Sequence, residues 1–143
     1  MERITDHESV LAERLRVAVT RTARRLRQEA HSELTPTLTA ALATVLRDGP
    51  LTPSDLARRE GVQRPTATKL IAALEDRELV LRTSVPGDGR SSLIAITPEG
   101  ETLLATIRAR KDEFLATRLR DLPARDRATL ERASVLLGEM VRA

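Results

Sequence analysis

A mainly α-helical fold with one small β-hairpin is what three features of this 143-residue sequence predict. Apolar residues recur at spacings of three and four along most of the chain, the signature of amphipathic helices. Two short apolar runs flank a cluster of turn formers, as in a hairpin. Proline and glycine fall at the joints between these segments. The length suits one ordinary domain, or a compact unit with extra helices. With 41% hydrophobic and 31% charged residues, the composition is globular.

Each element can be justified in order. From Asp6 to about Ala30 there is no Pro or Gly, and Leu11, Leu15, Ala18, Thr22 and Leu26 form one stripe, which predicts a long first helix. Thr35-Pro36 supplies a cap and a first-turn proline for a second helix, with Leu38, Leu42, Val45 and Leu46 inward and Gly49-Pro50 as its end. Thr52-Pro53-Ser54-Asp55 opens a short third helix in the same way, burying Leu56 and Ala57 and stopping at Gly61. A fourth runs from about Gln63 to Glu78 on a stripe of Ala67, Leu70, Ile71 and Leu74; Pro65 is tolerated because it falls in the first turn. Strands are predicted at residues 79–83 and 93–96, with the turn between them at Pro86-Gly87-Asp88-Gly89. Thr97-Pro98-Glu99 begins a long fifth helix carrying Leu104, Ile107, Phe114, Leu115 and Leu119. Leu122-Pro123 breaks it before a last helix with Leu130, Leu137, Met140 and Val141.

Composition excludes several functions. With no cysteine there is no disulfide framework, thiolate metal site, cysteine nucleophile or thiol switch. His7 and His31, the two histidines, make a poor zinc set. Phe114 is the sole aromatic, which argues against single-strand binding by base stacking. No apolar run approaches the roughly 18–20 residues that span a bilayer, and the N-terminus lacks a secretory pattern; the expectation is a soluble cytoplasmic protein without a membrane partner. No convergent catalytic set is visible: the acids are scattered among arginines at helical spacing, and Gly87-x-Gly89 opens no helix. The expectation is no enzyme and no cofactor. The net charge of +3 says little, but six arginines and no acid lie between Arg14 and Gln28. The favoured reading is a solvated face whose aliphatic stems cover apolar surface. The sharper alternatives are pairing with a partner's acids and a cationic wall beside a ligand cavity.

Helix, glycine turn, helix and hairpin in that order outline a winged helix-turn-helix flanked by long helices. Leu56-Ala57 anchors the first helix of the motif, Gly61 permits the turn, and Val62 fills the angle. The next helix offers short polar and basic groups at its N-terminal end, where such proteins approach base edges in the major groove. Thr66 and Thr68 suit base edges or phosphates, Arg64 suits guanine or phosphate, and Lys69 suits phosphate. At the hairpin tip, Asp88-Gly89-Arg90 precedes Ser91 and Ser92, and an arginine there can reach a narrow minor groove. Thr52, Ser54, Gln63 and Pro65 complete the candidate DNA-facing set.

Three segments resemble the MarR family of transcriptional regulators: residues 51–57, leading into the helix-turn-helix; residues 65–80, the recognition helix and following strand; and residues 88–100, the wing, with Asp88 and Arg90 two apart and a Thr97-x-x-Gly100 helix start. The resemblance implies a homodimer with intertwined outer helices, two winged modules on a palindromic operator, and a small ligand that disfavours the DNA-binding form. It divides the chain into dimerisation helices at residues 1–34 and 101–143 around a DNA-binding module at 35–100. It assigns DNA contacts to Thr66, Thr68 and Lys69 and a minor-groove contact to Arg90. Two positions depart from the pattern: Pro65 replaces a small hydroxyl residue, and Glu78 replaces a glycine, at a cost of about 1 kcal/mol if its backbone is left-handed. With thiol and metal signals excluded, the expected ligand is a small apolar or anionic organic molecule, held between the dimer helices and the winged module. The alternative function is a winged-helix protein-interaction module without DNA readout.

Overall fold

The computed structural model describes residues 3–85 and 87–142, without the side chains of residues 85 and 88–91. In chain order the elements are α1 (Asp6–Glu29), α2 (Pro36–Asp48), α3 (Pro53–Glu60), α4 (Arg64–Asp76), β1 (Val80–Val85), β2 (Asp88–Ile96), α5 (Pro98–Arg120) and α6 (Ala124–Met140). Four of the helices start on a threonine, at Thr5, Thr35, Thr52 and Thr97, whose side-chain oxygen accepts a first-turn backbone N–H. Such a cap satisfies a donor that has no intrahelical partner. At Thr5 and Thr52 the carboxylates of Glu8 and Asp55 reach back to the cap's own N–H, closing reciprocal capping boxes. After Thr35, Thr52 and Thr97 a proline takes a position that needs no donor.

Helices α2 to α5 and the hairpin share one core. Leu42 of α2, Leu56 of α3, Ile71 and Leu74 of α4 and Ile94 of β2 are 0% exposed, and Leu38, Val45, Leu51, Leu79, Val80 and Leu104 pack with them. Each such aliphatic side chain contributes about 1.5–3 kcal/mol when fully buried. Because two strands cannot stand alone in water, it is Val80 and Ile94 entering this core that hold the hairpin in place. A third segment joins the sheet edge: the Leu51 N–H donates to the Ile94 carbonyl at 3.1 Å, and the Ile94 N–H donates to Leu51 at 2.7 Å. Buried Thr44 donates its hydroxyl to the Glu60 carboxylate and so ties α2 to the end of α3.

Element boundaries differ from the expectation in the hairpin and at the end of α4. Strand β2 begins at Asp88, not Leu93, and β1 extends to Val85. The antiparallel register runs from Val80↔Ile96 to Ser84↔Ser92, then shifts so that Val85 faces Asp88. Backbone pairing needs no apolar side chains, so residues 88–92 escape a reading based on hydrophobicity. Residue 86 of the expected turn lies outside the described residues; Gly87 supplies a positive φ of 83°. Helix α4 ends at Asp76, two residues early, because Glu78 turns left-handed with φ 60°.

That turn is locked to the start of α5. The Thr97 hydroxyl donates to the Glu78 carbonyl at 2.7 Å and accepts from the Gly100 N–H at 3.1 Å, while the Thr97 N–H donates to Leu79 at 3.0 Å. A Cβ at position 100 would press on the Leu79 carbonyl oxygen, which explains the spacing Thr97-x-x-Gly100. Helices α1 and α6 are different in kind. They bury none of their residues. Among the described residues no helix is long and apolar enough to cross a membrane.

Candidate nucleic-acid interface

Helices α3 and α4 meet across Gly61, which closes α3 with φ 65°. A left-handed residue costs glycine nothing and redirects the chain in one step. The Val62 N–H then returns to the Ala57 carbonyl at 3.0 Å, and half-buried Val62 sits in the angle. Ala67, Ile71 and Leu74 are buried, so the rotation of α4 about its axis is fixed by packing. Its opposite side presents Arg64, Pro65, Thr66, Thr68 and Lys69, all exposed, with exposed Gln63 at the cap position.

Within this surface the side chains are already organised. Arg64 Nη1 donates to Ser54 Oγ at 2.7 Å, bridging the first turns of α4 and α3. Thr68 Oγ1 donates to the Arg64 carbonyl at 3.0 Å. The Thr68 hydroxyl proton is thereby occupied, and the oxygen retains acceptor capacity. Thr52 serves as a cap: half-buried, its oxygen accepts the Asp55 N–H at 3.1 Å. The Thr52 hydroxyl and backbone N–H, with Arg58 beyond them, hold the Asp55 carboxyl below the usual aspartate range. Asp55 is therefore ionised at neutral pH and committed to the cap.

On the hairpin, Ser92 is half-buried opposite Ser84. Gly89 lies within β2 by its backbone, and the side chains of Asp88, Arg90 and Ser91 lie outside the described ones. The candidate set thus gathers on α3 and α4 from Ser54 to Lys69, and its hairpin members stand on sequence.

A second feature bears on the alternative of a cationic wall beside a ligand cavity. A cavity of about 730 Å³ opens between α1, α2 and α5. Leu26, Ala30, Leu34, Ala40, Ala43, Leu104 and Ile107 give it apolar walls, and Arg24, Arg27, Arg108 and Lys111 line it as well. The two arginines from α1 come from the basic run. Arg108 and Lys111 follow Leu104 and Ile107 by four residues each, so the same side of α5 carries both apolar and cationic groups. That spacing was the available signal. Nearby, Arg25 pairs with Glu29 at 2.7 Å, and Arg25 and Arg118 both stack on Phe114, 5.3 and 5.0 Å from the ring centroid. His31 is an exposed turn residue.

A model of the MarR family matches residues 34–92. The chain is 36% identical over 137 residues to an HTH-type transcriptional regulator of Mycobacterium leprae, covering 95% of this chain and 96% of that one. The chain belongs to the MarR family. Among solved structures, this MarR-family protein is similar to a transcriptional regulator from Pseudomonas aeruginosa, with 30% identity, a TM-score of 0.89, and coverage of 98% of this chain and 99% of that one. A MepR mutant of S. aureus bound to an oligodeoxyribonucleotide shares the fold at 20% identity, with a TM-score of 0.70 and 98% of each chain covered. The winged helix-turn-helix therefore belongs to a DNA-binding transcriptional regulator.

Proposed function

We propose that this regulator is a cytoplasmic, ligand-responsive repressor that binds a palindromic operator as a homodimer. The observation that carries the reading is α4: its buried stripe fixes its rotation, and its first two turns present Arg64, Thr66, Thr68 and Lys69 to solvent. These groups suit base edges and phosphates in the major groove. Arg90, on the hairpin, reaches the adjacent minor groove. That a MepR mutant with the same fold is bound to an oligodeoxyribonucleotide supports DNA binding by this fold.

Dimerisation is supported by what the single chain leaves uncovered. Val10, Leu11 and Val19 of α1 and Leu130, Val135, Leu136 and Met140 of α6 are exposed apolar side chains on helices none of whose residues is fully buried. A two-fold interface between copies is the commonest way to cover such faces. Ligand response is supported by the cavity between α1, α2 and α5, whose apolar walls and four cations suit a small apolar organic anion. Occupancy shifts the DNA-binding equilibrium only by the ligand's differential affinity for the two forms.

Binding to duplexes selected from random DNA, at several salt concentrations, tests the reading. Lys69→Ala is expected to weaken all sequences evenly and to lower the salt slope by about one. Arg90→Ala is expected to cost about 1–3 kcal/mol per half-site, most where the flanks are A·T-rich. Binding that ignores salt and both substitutions would favour a protein-interaction module.

A further inference from the structure

Ser54 and Arg64 stand on different helices, ten residues apart, and are joined by the 2.7 Å bond from Nη1 to Oγ. Both are exposed, so burial does not force them together. Neighbouring arginines are engaged otherwise: Arg58 pairs with Asp55, Arg59 with Asp48 and Arg82 with Glu75. A carboxylate neutralises a guanidinium, whereas the Ser54 hydroxyl orients it and leaves its charge intact. The other end of the residue is fixed too. Arg64 is the first residue of α4, Pro65 follows it, and its carbonyl accepts the Thr68 hydroxyl. A long side chain that would otherwise sample many rotamers is held at base and tip.

The remaining donors point to a use. A guanidinium has five N–H donors in a planar fork. With Nη1 engaged by Ser54, the Nε and Nη2 edge is left to meet two acceptors side by side. Guanine presents such a pair, O6 and N7, in the major groove. We infer that Ser54 is a positioning residue for Arg64, and that Arg64 so held is a specificity-determining contact reading one guanine in each half-site. This rests on the proposed DNA-facing role of α4 and assigns its sequence preference to one side chain.

Duplex selection with the full chain and with Ser54→Ala, Ser54→Thr, Arg64→Lys, Arg64→Ala and the Ser54→Ala/Arg64→Ala pair tests the inference. The unaltered protein should select a guanine at one symmetry-related position, and both Arg64 variants should lose it. Ser54→Ala should reduce the preference for that guanine about 2- to 10-fold, the cost of ordering a freed side chain, with the salt slope unchanged. Ser54→Thr, which keeps the hydroxyl, should retain the preference. In the Arg64→Ala background, Ser54→Ala should change nothing further. Equal losses from Ser54→Ala in both backgrounds would show that Ser54 touches DNA itself and overturn the inference. So would an Arg64→Ala variant that lowers the salt slope by about one and keeps the same base preference, since Arg64 would then be a phosphate contact. Failure of the unaltered protein to select any sequence would overturn the proposed function and this inference together. A selected site indifferent to Ser54 would overturn this inference alone. Equal melting temperatures of the variants check that the exposed substitutions leave the fold intact.

Discussion

Glu78 holds a left-handed backbone between α4 and β1, with its N–H donating to Glu75 at 2.8 Å and its carbonyl accepting the Thr97 hydroxyl. For a residue with a Cβ this conformation costs about 1–2 kcal/mol. The two bonds hold it there: the first closes the end of the proposed DNA-facing helix on itself, and the second ties that end to the cap of α5. Glu78→Gly keeps both backbone bonds and removes the steric cost. Part of the gain is offset by the greater freedom of glycine in the unfolded chain. The expected net effect is a stabilisation of about 0.5–1 kcal/mol, read as a higher urea midpoint at unchanged slope. A lower midpoint would mean that the Glu78 side chain does something its exposed position conceals.

At the scale of elements, the caps and the free helices make separate predictions. The Asp55 carboxyl, depressed by its bonds to Thr52 and by Arg58, contributes to α3 fully above the unfolded aspartate value near 4 and loses that contribution as pH falls through its lower folded value. Asp55→Ala should therefore be less stable than the parent at pH 7, and the gap should narrow as denaturation is repeated below about pH 4. A gap that stays constant with pH would assign the loss to something other than the charged cap. Removing residues 124–143, which include α6, should leave α1 to α5 and the hairpin folded, since none of α6's own residues is fully buried in the single chain. The truncated chain should be monomeric or aggregate through exposed α1, and should lose tight operator binding; a dimer of full affinity would put the interface elsewhere. These elements were legible in sequence to different degrees. Threonine-proline starts marked α2, α3 and α5 because capping is local chemistry, and the Leu and Ile stripes marked their buried faces. The first half of β2 was hidden, because residues 88–92 include no apolar side chain, while Asp88 and Ser92 pair with β1 through the backbone. The positive φ at Glu78 was legible only against the glycine of the resemblance. The Ser54–Arg64 bond could not be read at all: the distance between α3 and α4 depends on packing through Leu56, Ala67 and Ile71.

Across the whole molecule, the proposed dimer, the cavity and the DNA-binding module would act on one another. The cavity is bounded by α1, whose apolar side the dimer would cover, and by α2 and α5, which pack on the winged core. An anion held by Arg24 and Arg27 of α1 and by Arg108 and Lys111 of α5 would join these two helices, with Ala40 and Ala43 of α2 beside it, at the border between the dimer helices and the DNA-binding module. It would set their separation, and with it the distance between the two copies of α4 on a palindrome. Coupling of this kind is reciprocal: whatever factor the ligand removes from DNA affinity, DNA must remove from ligand affinity. Aromatic carboxylates are suitable first probes, because a ring fits the apolar walls and a carboxylate meets the cations. For one that binds, we expect operator affinity to fall by about 5- to 150-fold at saturation, the usual range of such coupling. Its affinity for the DNA-bound protein should fall by the same factor, measured by titration with and without excess operator. Binding at the cavity with no change in either affinity would separate the site from DNA control. A loss of DNA affinity without the reciprocal loss would place the ligand in competition at the DNA surface or on the DNA itself.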